Sequence, residues 1–156
     1  MPIADYLADL FWNILEQVTH CQKFSEGADI VHALEIYAQE NRLRSTTIFV
    51  TFTMDNICTA FPHQATLKAL RRFLDTYAAF NDNFQDEEIT IETVLRLTQL
   101  VLDNQYFVHS NGLYRQIKGG ASGSSLTVPL SYIYSLCANP PFFNALVNNE
   151  QELVGR

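Results

Sequence analysis

Apolar residues recur at helical spacing in four stretches of the chain, and each predicts an amphipathic helix. The first stripe is Leu7, Leu10, Phe11, Ile14, Leu15 and Val18. The second follows Ser25, with Glu26 and Asp29 in its first turn and Ile30, Val31, Leu34, Tyr37 and Ala38 as its apolar face. Asn41 to Ser45 reads as its exit loop. The third opens at Pro62, because proline suits the first turn of a helix. It turns Leu67, Leu70, Phe73, Leu74 and Tyr77 inward and leaves Lys68, Arg71 and Arg72 solvated. In the fourth, Thr90 supplies the cap and Glu92 lies near the positive end of the helix. Its stripe is Ile91, Val94, Leu95, Val101 and Leu102.

Other stretches follow the two-residue period of a strand. Thr46 to Thr53 is dense in β-branched and aromatic residues, with Ile48, Val50 and Phe52 on one face and Phe49, Thr51 and Thr53 on the other. Both faces are partly apolar, which predicts an interior strand. Asn111-Gly112 is the strongest turn signal, and Gln105 to Ser110 and Leu113 to Ile117 flank it as hairpin arms. A glycine-rich run from Gly119 to Ser125 precedes an apolar helix over Leu126 to Cys137, which tolerates Pro129 near its start and ends at Asn139-Pro140-Pro141. Asn81 to Glu88 is a polar, acidic loop, and the stretch to Arg156 is a polar tail.

With 156 residues, 47% of them apolar and 17% charged, the chain is one domain's worth and can bury a core. Its 11 Phe and 7 Tyr predict a partly aromatic one. The net charge of −7 opposes unaided binding to phosphate backbones, which draws its affinity from Lys and Arg. Cys21, Cys58 and Cys137 lie far apart, with no zinc spacing, and read as reduced thiols of an intracellular protein. His20, His32, His63 and His109 share no ligand spacing either. Asp5 and Asp9 interrupt the apolar start of the chain, unlike a signal peptide, and no apolar run is long enough for a bilayer.

Three segments, in order, resemble a reverse transcriptase of the Penelope-like retroelement type. Thr51-Phe52-Thr53-Met54-Asp55-Asn56-Ile57-Cys58-Thr59-Ala60-Phe61-Pro62 is similar to the family's palm strand and the turn after it. Asn104-Gln105-Tyr106-Phe107, a turn, and Tyr114-Arg115-Gln116-Ile117-Lys118-Gly119 resemble its hairpin leading into a glycine loop. Gly119-Gly120-Ala121-Ser122-Gly123-Ser124-Ser125-Leu126-Thr127, followed by Ile133-Tyr134, resembles its Gly-x-x-Met/Gln-Gly-Ser-Pro-Leu motif. The match spans residues 46 to 138, and the two helices before it would belong to the fingers.

The resemblance implies RNA-directed DNA polymerisation with Mg²⁺, a hard cation that carboxylates hold. It also implies an RNA template and DNA primer as partners. Thr53 stands where the family carries its palm-strand aspartate, and Cys58 where it carries an aromatic that screens the sugar 2′ position. No Tyr-x-Asp-Asp hairpin follows Pro141. Ser122 replaces Met or Gln, and Ser125 replaces Pro. No catalytic set is therefore intact, and this chain is expected to be inactive on its own. Asp55 shares the strand face of Thr53; a bulge would offer it to a metal, and otherwise it caps the following turn. By resemblance Gly119, Ser122, Gly123, Ser124 and Leu126 would contact nucleotide or template.

Several features carry two readings. The loop from Gly119 to Ser125 either cradles phosphate through backbone N–H groups or simply connects. Arg115 and Lys118, like Lys68, Arg71 and Arg72, either touch nucleic acid or are solvated surface. Ser124 has no evident base partner. The expected fold is α+β, helices on a small, mainly antiparallel sheet, a partial polymerase palm with some fingers. Residues 1–45 would be a helical fingers-like segment, 46–140 the palm-like core, and 141–156 a tail stopping short of the Asp-Asp hairpin. Two functions remain open: a polymerase fragment completed by another polypeptide segment, or a non-catalytic binding or decayed retroelement-derived protein.

Overall fold

The structure is a computed structural model, and it describes residues 2–19, 24, 26–50, 56–78 and 89–138. Among these, the elements run α1 (Ile3–Thr19), α2 (Gly27–Gln39), α3 (Ile57–Ala60), α4 (His63–Tyr77), α5 (Ile91–Asp103), β1 (Tyr106–His109), β2 (Gly112–Arg115) and α6 (Thr127–Ala138). The chain is α+β with one two-stranded antiparallel sheet among the described residues.

The core is made of helices. α4 lies against α5 and α6, and α1 packs on both of the latter. The α1 stripe read from the sequence, Leu7 to Val18, is buried throughout. It joins one cluster with Phe61, Leu70, Phe73, Leu74, Val94, Leu102, Leu126, Leu130 and Ile133. The segment expected as fingers thus shares its core with the segment expected as palm. Two of the polar residues inside this core bond back along their own helices: Thr66 Oγ1 donates to Pro62 O at 2.9 Å and Ser131 Oγ to Val128 O at 2.7 Å, while the buried Thr98 hydroxyl has no partner among the described residues. Such bonds let a hydroxyl sit in an apolar interior without an unpaired donor.

The helix caps follow the sequence signals. Thr90 Oγ1 accepts the Thr93 N–H at 3.2 Å, and Pro62 takes the N-cap position of α4. α2 begins with a capping box between Glu26 and Asp29, where Glu26 N donates to Asp29 Oδ2 at 3.0 Å. Glu40 is its C-cap, and the next residue, Asn41, takes a left-handed φ of 57°.

Three expectations need correction. The predicted strand from Thr46 is absent over its described part, residues 46–50; residues 51–53 lie outside the described residues. Instead Thr47 Oγ1 accepts the Arg44 N–H at 2.8 Å and closes a turn, and Ile48 is 82% exposed. High β-propensity makes a strand only when a partner pairs its backbone, and a local side-chain bond competes with that pairing. The α2 stripe is not a core face: Ile30, Val31 and Ala38 are exposed and Leu34 and Tyr37 half-buried, while the buried residue of the helix is Ala33, which lies outside the stripe. The hairpin turn sits one residue earlier than predicted. His109 pairs with Gly112, and Ser110 and Asn111 both take positive φ, 47° and 65°. That is a two-residue I′-type turn, whose sense of twist suits the strands it joins. Every residue of β1 is exposed, so the helices pack on one another and not on the sheet.

Candidate functional site

The turn from Asn56 to Pro62 and the loop from Lys118 to Ser124 are far apart in sequence and bonded to each other in the fold. Gly119 N donates to Phe61 O at 2.7 Å and Gly120 N to Cys58 O at 2.8 Å. His63 Nε2 donates to Gly119 O at 2.7 Å. Phe61, 1% exposed, anchors the turn in the core. Two glycines make the approach possible. Gly119 has a φ of +65°, and a Cβ there would strike the Thr59 backbone; a Cβ on Gly120 would overlap the Thr127 side chain.

The hairpin holds the loop from its other side. Gln116 N donates to Gln105 O at 2.8 Å, extending the strand ladder by one pair. Gln105 Oε1 accepts the Ala121 N–H at 3.0 Å. Gln116 Nε2 donates to Lys118 O at 2.9 Å and to Gly120 O at 3.0 Å. Thr127 Oγ1 donates to Ala121 O at 2.8 Å. The amides of Gly119, Gly120 and Ala121 and the carbonyls of residues 118 to 121 are therefore all engaged within the chain. This corrects both readings of the loop over that part. It is a fixed structure and no loose connector, and its first three amides are not free to cradle a phosphate.

Charged and aromatic side chains meet where the hairpin faces this loop. A groove of about 550 Å³ is lined by Tyr106, Phe107, Arg115, Lys118 and Ser122, with Thr59 from the turn. The aromatic rings are about half exposed. Among the described residues, no carboxylate lines the groove. The stretch from Asn104 to Ala138 contains no Asp or Glu, so it is locally basic within an acidic chain. Cations beside exposed rings can meet phosphate and base faces together.

The residues singled out from the sequence divide between this groove, the core and the undescribed part. Arg115, Lys118 and Ser122 line the groove, and Gly123 is exposed at the loop's outer turn. Leu126 is fully buried and packs in the core, so its expected ligand contact is not available. Cys58 Sγ lies 3.8 Å from Ser131 Oγ and faces α6, leaving its neighbour Thr59 to line the groove. Ser124 Oγ is buried without a hydrogen-bond partner among the described residues. Thr53, Asp55 and the acidic loop 81–88 lie outside the described residues, as do His20, Cys21 and 141–156.

No group of three His, Cys, Asp or Glu side chains among the described residues is arranged to hold a metal ion. The groove's neutral and cationic lining does not fit Mg²⁺, which requires oxygen donors with negative charge nearby. Elsewhere, Lys68 and Arg72 are solvated, and Arg71 Nη2 pairs with Glu92 Oε2 at 2.6 Å. Hydrogen bonds from Arg71 and then Arg96 hold the Glu92 carboxyl below the ordinary carboxylate range. Burial pushes the Cys137 thiol up, which makes it a poor nucleophile near neutral pH. No helix among the described residues is long and apolar enough to cross a membrane.

Gln105, Gln116 and His63 were not singled out from the sequence. The two glutamines do sit at matching ends of the hairpin arms, a signal that a paired polar position can give. Compared with models of known families, with curated proteins and with solved structures, the chain matches none.

Proposed function

We propose that the chain carries a reverse-transcriptase-type palm that binds nucleic acid through the hairpin groove and does not polymerise by itself. The observation that carries this reading is the pairing of Arg115 and Lys118 with exposed Tyr106 and Phe107, at a junction built from all three segments that resemble the family. The stretch from Asn104 to Ala138 carries no Asp or Glu, which eases the objection raised by the net charge of −7, with Asp5, bonded to the Ser125 hydroxyl at 2.6 Å, the acid that reaches this loop from elsewhere among the described residues. Polymerisation would need metal-holding carboxylates from Asp55 or from another polypeptide segment. Cys58 faces α6, so a sugar 2′ screen is not its role in this reading.

The test is anisotropy of a labelled single-stranded oligonucleotide across a salt series. Binding should weaken steeply with salt, and Arg115→Ala should lower the log–log slope by about 0.7. Binding that ignores both salt and Arg115→Ala would overturn the reading. Primer extension with Mg²⁺ or Mn²⁺ should stay silent for the chain alone. Extension by the wild-type chain would overturn the claim of inactivity. The exposed Val108 and Leu113 favour a second reading, a non-catalytic surface for a protein partner. Partner binding that is insensitive to salt would support it.

A further inference from the structure

We propose that Gln116 is the positioning residue of this groove, holding Lys118 at a fixed place beside Arg115 so that both cations meet one bound phosphate segment. The inference rests on the nucleic-acid reading and deepens it. A glutamine amide has two N–H donors. Both are spent here, on Lys118 O at 2.9 Å and Gly120 O at 3.0 Å. The backbone of the same residue is tied to the base of the hairpin through Gln105 O at 2.8 Å. Gln105 is buried and in turn holds the Ala121 amide through its own side chain. One residue thus joins the arm that carries Arg115 to the loop that carries Lys118.

The loop beyond Lys118 is anchored at Gly119 and Gly120 through Phe61 O, His63 and Cys58 O, but the Lys118 carbonyl takes its hydrogen bond from Gln116. Lys118 lies past the end of β2, next to exposed Ile117, and its bridge to Pro62 is flanked by the Gly119 N–Phe61 O bond. Without the Gln116 amide, Lys118 O and Gly120 O would lose these bonds and the chain ahead of Gly119 would be free to shift. A lysine on a shifting backbone must be ordered on binding, and that entropy is lost from affinity.

The experiment compares Gln116→Met, which is close in length but has no donor, with Lys118→Ala and the double variant. In the salt series Gln116→Met should weaken binding several-fold with a slope close to wild type, since the lysine charge remains, whereas Lys118→Ala should lower the log–log slope by about 0.7. The double variant should bind no more weakly than Lys118→Ala, because the glutamine acts through the lysine. Additive losses, or Gln116→Met binding as tight as wild type, would overturn the proposal. Amide exchange supplies a second readout in the intact chain. Gly120 and Ala121 should exchange faster in Gln116→Met and not in Lys118→Ala, with far-UV circular dichroism unchanged. If the wild-type chain binds no oligonucleotide, the nucleic-acid reading fails and exchange alone decides the clamp. Unchanged exchange in Gln116→Met then overturns it.

Discussion

Leu130 and Leu113 are the same side chain in opposite surroundings. Leu130 on α6 is fully buried in the helical cluster, where α6 packs on α1 and α4, while Leu113 on β2 is 71% exposed. The contrast extends to their elements. α5 and α6 bury apolar faces against α4 and α1, whereas β1 and β2 expose Tyr106, Val108, Leu113 and Tyr114. Phe107 and Tyr114 stack on each other at 5.7 Å, yet both rings stay about half exposed. The helices are held by what they bury. The hairpin is held by its ladder and by the glutamines at its base, and its apolar side chains are free to bind something else. Equal hydrophobicity therefore stabilises one region and serves as contact surface in the other.

The comparison breaks most readily at the core. Leu70→Ala should cost about 2–5 kcal/mol, measured by chemical denaturation, since it empties a fully buried site on α4. A cost near zero would mean that the helical cluster does not hold the fold. Gly119→Ala should cost about 2 kcal/mol or more, because the left-handed φ and the Thr59 backbone both oppose a Cβ. The same denaturation series should show it, together with faster exchange of the Gly120 amide. Thr90→Ala should cost about 1 kcal/mol through the lost cap on the Thr93 N–H.

The pH dependence is smaller. Glu92 titrates below the ordinary carboxylate range in the fold because Arg71 and Arg96 bond to its charged form. Its contribution is present above that range and is lost as pH falls through the lowered value. Glu92→Gln should therefore lower the neutral end of a melting-temperature profile slightly and leave the acid end unchanged, which flattens the acid limb. Its exposure keeps the effect small. Leu113→Thr should be the least costly change, within about 0.5 kcal/mol, because an exposed leucine has little burial to lose. A large loss at Leu113 would place the hairpin within the core's cooperative unit and end the contrast.

Much of this was readable along the chain. The α1 stripe, the α4 stripe with its proline start, the Thr90 cap and the existence of the hairpin all follow from local rules, and the fold keeps them. The stretch at 46–50 failed because its β-branched residues describe a surface that suits a strand without supplying a partner for it. The α2 stripe failed for a related reason: amphipathic spacing says that a face could be buried, not that another element reaches it. The turn missed by one residue because Asn111 accepts a left-handed φ as its second central residue, leaving Gly112 to begin β2.

For the candidate site the division is sharper. The sequence alone determined that a glycine loop follows a hairpin, that Arg115 and Lys118 lie near it, and that the stretch carries no acids. These are matters of neighbouring residues and local turns, and they need no long-range contact. Only the tertiary structure decided that the Cys58–Pro62 turn seats against Gly119 and Gly120, that Leu126 belongs to the core, and that Gln116 spans the two walls of the groove. Each of those depends on residues distant along the chain or on the direction of a side chain. Periodicity does not encode such directions. They are set when α3, α4 and α6 pack and every backbone group caught between them has to find a partner.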